Sequence, residues 1–185
     1  MIVTPSTPAT PLPTNAEELA RCLADPQWRI LSGALYKIMI KGDDSSDDEG
    51  FVVPFFPNEA QIKFIENLWY RNLILKARQL GFTTLIAIVW LDHALFNANQ
   101  RCGIVAQDLG NATAIFRDKV KLAYDNLPEP IRERFPLKTE NKAELLFAHN
   151  NSSIKVSTSL RGGTTHRLHI SEFGKIFAKY PDKAQ

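Results

Sequence analysis

The sequence predicts an α/β fold with a mainly parallel sheet flanked by helices. Three observations carry that expectation. Short, nearly continuous apolar runs at residues 72–76 (NLILK) and 102–106 (CGIVA) read as buried parallel strands. Each is followed by a stretch with apolar residues at helical spacing, 83–98 and then 111–126. Strand, helix, strand, helix is the alternation of an α/β layer architecture. The chain has 185 residues, 44% of them hydrophobic and 23% charged, which suits a globular domain of ordinary size.

The elements follow in order. Residues 1–14 hold four prolines, four threonines and no charge, and read as a disordered arm. Asn15, with Glu18 three residues on, has the spacing of a capping box and starts a helix that stops before Asp25-Pro26. Residues 35–40 and 51–53 read as two strands. The turn between them, 42–50, holds five carboxylates but lacks the ligand spacing of a calcium loop, so it reads as a solvated hairpin tip. Residues 15–57 are thus an N-terminal helix and hairpin, and the α/β domain occupies 58–185. A helix is expected over 58–70, with Ile62, Ile65, Leu68 and Trp69 inward. In the helix at 111–126 the inward positions are Ile115, Val120, Leu122 and Ala123. Its basic residues Arg117, Lys119 and Lys121 read as a solvated face. Residues 144–148 and 153–158 form a hairpin across His149-Asn150-Asn151, and 167–171 is a last strand.

Composition excludes several classes. Two cysteines, Cys22 and Cys102, make neither a disulfide framework nor a zinc site. The longest apolar run, 85–91, is far short of the ~18 residues of a membrane span. The N-terminus has no basic start and no apolar core of a secretory signal, so a cytosolic protein without a membrane partner is expected. Net charge is +2, unevenly spread. Residues 1–75 balance to −4 and residues 76–185 to +6, which suits a phosphate-bearing ligand in the second part.

The loop between the strand at 72–76 and the helix at 83–98 is the most informative stretch. Lys76-Ala77-Arg78-Gln79-Leu80-Gly81-Phe82-Thr83-Thr84 joins a strand to a helix through a glycine. Such a loop turns backbone N–H groups and the positive end of a helix dipole toward a phosphate. Against the phosphate-loop pattern G-x-x-x-x-G-K-[ST], Gly81 takes the second glycine and Thr83 the Mg²⁺-holding hydroxyl. Lys76 takes the place of the first glycine and Phe82 that of the lysine. The strict pattern therefore fails, and Lys76 and Arg78 are the cations left to reach the phosphates.

KARQLGFTT resembles the deviant phosphate loop of the large terminase subunits of tailed phages, the ATPases that pump DNA into procapsids. Some members of that family move the loop lysine to the front, as Lys76 stands here. The resemblance runs over roughly residues 28–183, through WYRN, FRDKVKLAYDNLP, NNSSIKVSTSLRGGT and RLHISEFGKI. It implies a phosphate-loop NTPase fold that binds ATP and Mg²⁺ through residues 76–84. It also implies the family's partners: double-stranded phage DNA, a terminase small subunit, a portal protein and further copies of the chain in a ring.

The resemblance carries over to particular residues. Glu172, at the end of RLHIS, matches the glutamate that polarises the attacking water. Ser171 stands where the family has a Mg²⁺-holding aspartate; a hydroxyl adds no charge, so tight Mg²⁺ binding is in question. Arg161 in the RGG loop matches an arginine finger that reaches a neighbour's nucleotide, and Arg78 is the other candidate for that task. Gln61 matches a glutamine that contacts adenine, but Asn58 and Gln61 also have capping-box spacing. Trp69, Tyr70, Phe55 and Phe56 are aromatic enough to stack on a base and equally suited to a core. The family continues beyond Glu172 with a coupling strand and a nuclease domain, so the chain reads as a partial ATPase domain. A truncated prophage remnant with little turnover and a helicase-like ATPase are the alternatives. The RGG loop and the switched lysine favour terminase over helicase.

Overall fold

The computed structural model describes residues 9–40, 50–75, 80–160 and 163–179. The protein is an α/β structure. Its first helix, α1 (Ala16–Ala24), begins where expected, because the Asn15 carboxamide accepts from Glu17 N at 2.8 Å and Glu18 N at 3.4 Å. Asp25-Pro26 ends α1 and also starts a helix that the sequence pattern did not predict, α2 (Pro26–Leu31). The Asp25 carboxylate accepts from Gln27 N at 2.8 Å, and Pro26 sits in the first turn, where its missing N–H costs nothing. Strands β1 (Lys37–Ile40) and β2 (Phe51–Pro54) pair antiparallel as a hairpin. The acidic turn at 41–49 lies outside the described residues.

Helix α3 (Glu59–Glu66) is shorter than predicted. Its start is a full capping box, with Asn58 and Gln61 each bonding the other's backbone N–H. It stops before 70 because side-chain amides offer the backbone other partners. Asn67 Nδ2 donates to Lys63 O at 2.8 Å, and Asn72 both accepts from Trp69 N and donates to Trp69 O. Leu68 and Trp69 are therefore exposed, not inward, with Tyr70 exposed beside them, and Ile62 within the helix is exposed as well.

The predicted strand at 72–76 is corrected as well. Residues 72–75 carry no strand, and Leu73 and Leu75 are 84% and 91% exposed. An apolar run becomes a buried strand only beside a paired neighbour, and among the described residues no strand pairs with 72–75.

Helix α4 (Phe82–Phe96) is apolar on nearly every side and packs on both α2 and the sheet. Leu85, Ala87, Ile88, Leu91 and Ala94 have no exposed surface. Each such Leu or Ile contributes about 1.5–3 kcal/mol by burial. Asp92, also on α4, is a buried charge. It accepts a two-pronged bond from Arg29, both contacts 2.8 Å, and a third from Tyr36 Oη at 2.7 Å. Arg29 in turn lies 4.0 Å over the Phe96 ring. Ile30, Leu35, Tyr36 and Phe55 belong to the same apolar cluster as α4 and the sheet.

The sheet has five strands in the order β4 (Leu137–Glu140), β5 (Glu144–Phe147), β6 (Ser153–Ser157), β3 (Arg101–Val105), β7 (Arg167–Ile170). It is mixed, not mainly parallel. Strand β3 runs parallel to β6 and β7, whereas β4, β5 and β6 form an antiparallel meander. The meander follows from its connections. Short turns at 141–143 and 148–152 are too brief for the crossover a parallel pair needs. Gly103 of β3 lets the Leu160 side chain pack close: a Cβ there would lie 2.2 Å from Leu160 Cδ1, and that side chain would have to shift.

The predicted helix at 111–126 is continuous but not uniform. It comprises α5 (Leu109–Ile115), a π-helical segment (Phe116–Lys121) and α6 (Leu122–Asp125), followed by the short α7 (Glu129–Arg132). Ile115, Val120 and Ala123 are buried as expected, and Leu122 is half-buried. Helix α8 (Phe173–Lys179) follows β7. Among the described residues no helix is long and apolar enough to cross a membrane.

Candidate functional site

The start of α4 and the end of β7 meet at one cavity. Gly81, with φ +67°, turns the chain into α4, a left-handed conformation that glycine adopts without strain. Among the described residues no side chain caps α4. Its first N–H groups are thus left for another partner, at the positive end of a four-turn helix. The preceding carbonyl is pinned: Leu80 O accepts from Gln61 Nε2 at 3.1 Å and from Asn58 Nδ2 at 3.4 Å.

Strand β7 enters from the other side. Ser171 N donates to Val105 O at 2.8 Å, extending the β3–β7 pairing to the cavity. Thr83 Oγ1 and Ser171 Oγ then lie 3.3 Å apart, although 88 residues separate them in sequence. Ser171 is buried, and Glu172 follows with φ +56°, a left-handed backbone in a non-glycine residue. Such a conformation costs on the order of 1–3 kcal/mol and persists where the surroundings enforce it. Glu172 is exposed, borders the cavity and pairs with Lys175 of α8.

The cavity measures about 240 Å³ and is open on one side. Thr83, Thr84, Gln107, Asn111, Lys119, Ser171 and Glu172 supply its polar lining. Lys119 comes from the π-helical segment and donates to Thr84 Oγ1 at 2.8 Å. Desolvation holds its ammonium below the ordinary lysine value, partly offset by the Asp118 charge. The expectation of a solvated basic face is thus correct for Arg117, which is exposed beside Asp118, and incorrect for Lys119. Lys121 pairs with Asp125 and Glu140.

The sequence-predicted site residues divide into three sets. Gly81, Phe82, Thr83, Thr84, Ser171 and Glu172 border one cavity. Of these, Phe82 turns its ring to the core, edge-on to Phe64 at 5.6 Å, so the position after the glycine is a packing position. Gln61 does not line the cavity. Both ends of its amide are engaged, one in the capping box and one on Leu80 O, so it supports the loop from beneath. Lys76, Ala77, Arg78, Gln79 and Arg161 lie outside the described residues.

The donors suit Mg²⁺ only in a particular way. Among the described residues there is no group of three His, Cys, Asp or Glu that would hold a metal. Two neutral hydroxyls and one carboxylate fit a Mg²⁺ that arrives on phosphate oxygens and keeps several waters. They do not fit a site that captures the bare ion.

No protein-family model matches the chain, and no curated protein matches it.

Proposed function

We propose that the cavity binds the phosphates of ATP and that the chain is the ATPase part of a terminase-type DNA-packaging motor. The observation that carries this reading is the Thr83–Ser171 hydroxyl pair. The sequence singles out those two residues in separate motifs, one as a phosphate-loop threonine and one beside a catalytic glutamate. Their meeting at the uncapped start of α4 is what a phosphate-loop NTPase site requires.

The chemistry is hydrolysis by in-line attack of water on the γ-phosphorus. The α4 N–H groups and the Thr83 hydroxyl orient the phosphates. Thr83 and Ser171 would hold a Mg²⁺ brought in with the nucleotide, which would supply positive charge against the phosphates. Glu172 accepts the proton of the water as the bond to the β–γ bridging oxygen breaks, leaving ADP and inorganic phosphate. Lys76 and Arg78 add positive charge, and Arg161 reaches the nucleotide of a neighbouring copy in a ring. DNA, a small subunit and a portal are the partners this reading entails.

A second reading, binding with little turnover, draws on the Glu172–Lys175 ion pair, which occupies the carboxylate. Steady-state ATP hydrolysis and ATP binding by wild type and Glu172→Gln separate the two. The motor reading expects binding close to wild type and hydrolysis reduced to background in Glu172→Gln. Equal hydrolysis rates in both proteins would remove Glu172, and the strand it ends, from the active site. Wild type that binds ATP without measurable hydrolysis would favour the second reading.

A further inference from the structure

Lys119 is out of place as a structural lysine. It reaches inward from a π-helical segment, and such segments recur at functional sites. The nearby charged residues of the segment have ion-pair partners: Asp118 pairs with Arg117, and Lys121 with Asp125 and Glu140. Lys119 has no ion-pair partner among the described residues; its bonded contact is the neutral Thr84 hydroxyl. An ammonium carries three donors, so this one has donor capacity left in a partly desolvated cavity. Retaining a charge under those conditions is costly without an anion to meet it. Glu172, the other charged residue lining the cavity among the described residues, is engaged by Lys175. Meanwhile the uncapped start of α4 supplies N–H groups to the same space. Every free donor here suits an oxyanion.

We infer that Lys119 is a phosphate-binding residue, donating to the polyphosphate of the ligand while Thr84 steadies its ammonium. This rests on reading the cavity as a nucleotide site, and it adds a cation from the opposite wall to those in the 76–79 loop. Lys119 then serves in place of the lysine that Phe82 displaces from the position after Gly81. Phe82, buried against Phe64, has no room for that task.

The test is calorimetric titration of the full chain with Mg–ATP and with inorganic pyrophosphate at fixed ionic strength. Lys119→Met keeps most of the side-chain volume and removes the charge, and Lys119→Arg keeps the charge. A lost charge-assisted hydrogen bond predicts roughly 10- to 100-fold weaker binding of both ligands to Lys119→Met. Lys119→Arg should recover most of that loss. A structural lysine would instead show unchanged affinity and a lowered melting temperature in Lys119→Met, and that result overturns the inference alone. If wild type binds neither ligand, the nucleotide reading and this inference fall together. Should Lys119→Met fail to fold, Lys119→Gln takes its place: affinity at least about tenfold below wild type supports the charge role. Affinity equal to wild type contradicts it.

Discussion

The two walls of the cavity are built differently. The α4 wall is rooted in the most buried part of the molecule. Arg29, Tyr36 and Asp92 tie that helix to α2 and the chain entering β1, and its apolar residues fill the core. The β7 wall hangs on one neighbour. Strand β7 pairs with β3 alone among the described residues, and Leu168 and Ile170 are 50% and 39% exposed. Glu172, two residues beyond the strand, sits in a left-handed conformation. The difference teaches that the α4 wall is preformed, whereas the wall with the carboxylate is held by few contacts. Elements that adjust on binding come from such low-stability parts.

Breaking the rooted wall should have the largest effect. Asp92→Ala leaves Arg29 buried without its counter-charge and Tyr36 Oη without its acceptor. Removing one partner of a buried pair typically costs ~3–5 kcal/mol, a large fraction of the ~5–15 kcal/mol that stabilises a domain. Urea denaturation should show a marked fall in midpoint. A change below about 1 kcal/mol would mean that the network is not what anchors α4.

The same experiment on the other wall should give the smallest effect. Leu168→Ala removes a half-exposed side chain from an edge strand, so a loss within about 0.5 kcal/mol is expected. A loss of several kcal/mol would show that β7 is covered in solution, and that the contrast between the walls is wrong.

Much of this organisation was legible in sequence, and the failures have physical causes. Strand β3 and helix α4 were readable as unbroken apolar runs of strand and helix length, and both hairpins by the turn residues between their strands. Strand β4 (LKTE) was not, since it is an edge strand with three exposed residues and no apolar alternation. Helix α2 is six residues long, too short to show a period. NLIL at 72–75 has the composition of a buried strand, but composition does not encode a pairing partner. The candidate site was legible at Gly81, Thr83, Ser171 and Glu172, where backbone turn and chemistry share a motif. It was not legible at Lys119, because a π-helical turn departs from the 3.6-residue period by which inward and outward faces are told apart.

Hydrogen exchange with and without saturating Mg–ATP tests the central claim most directly, since it asks where the ligand sits. If phosphates occupy the cavity, amides at 81–85 and at 171–172 should gain protection together. The gain should be greater on the β7 side, which is loosely held without ligand. Protection confined to other segments, or none at a ligand concentration that calorimetry shows to be saturating, would contradict a nucleotide site between α4 and β7.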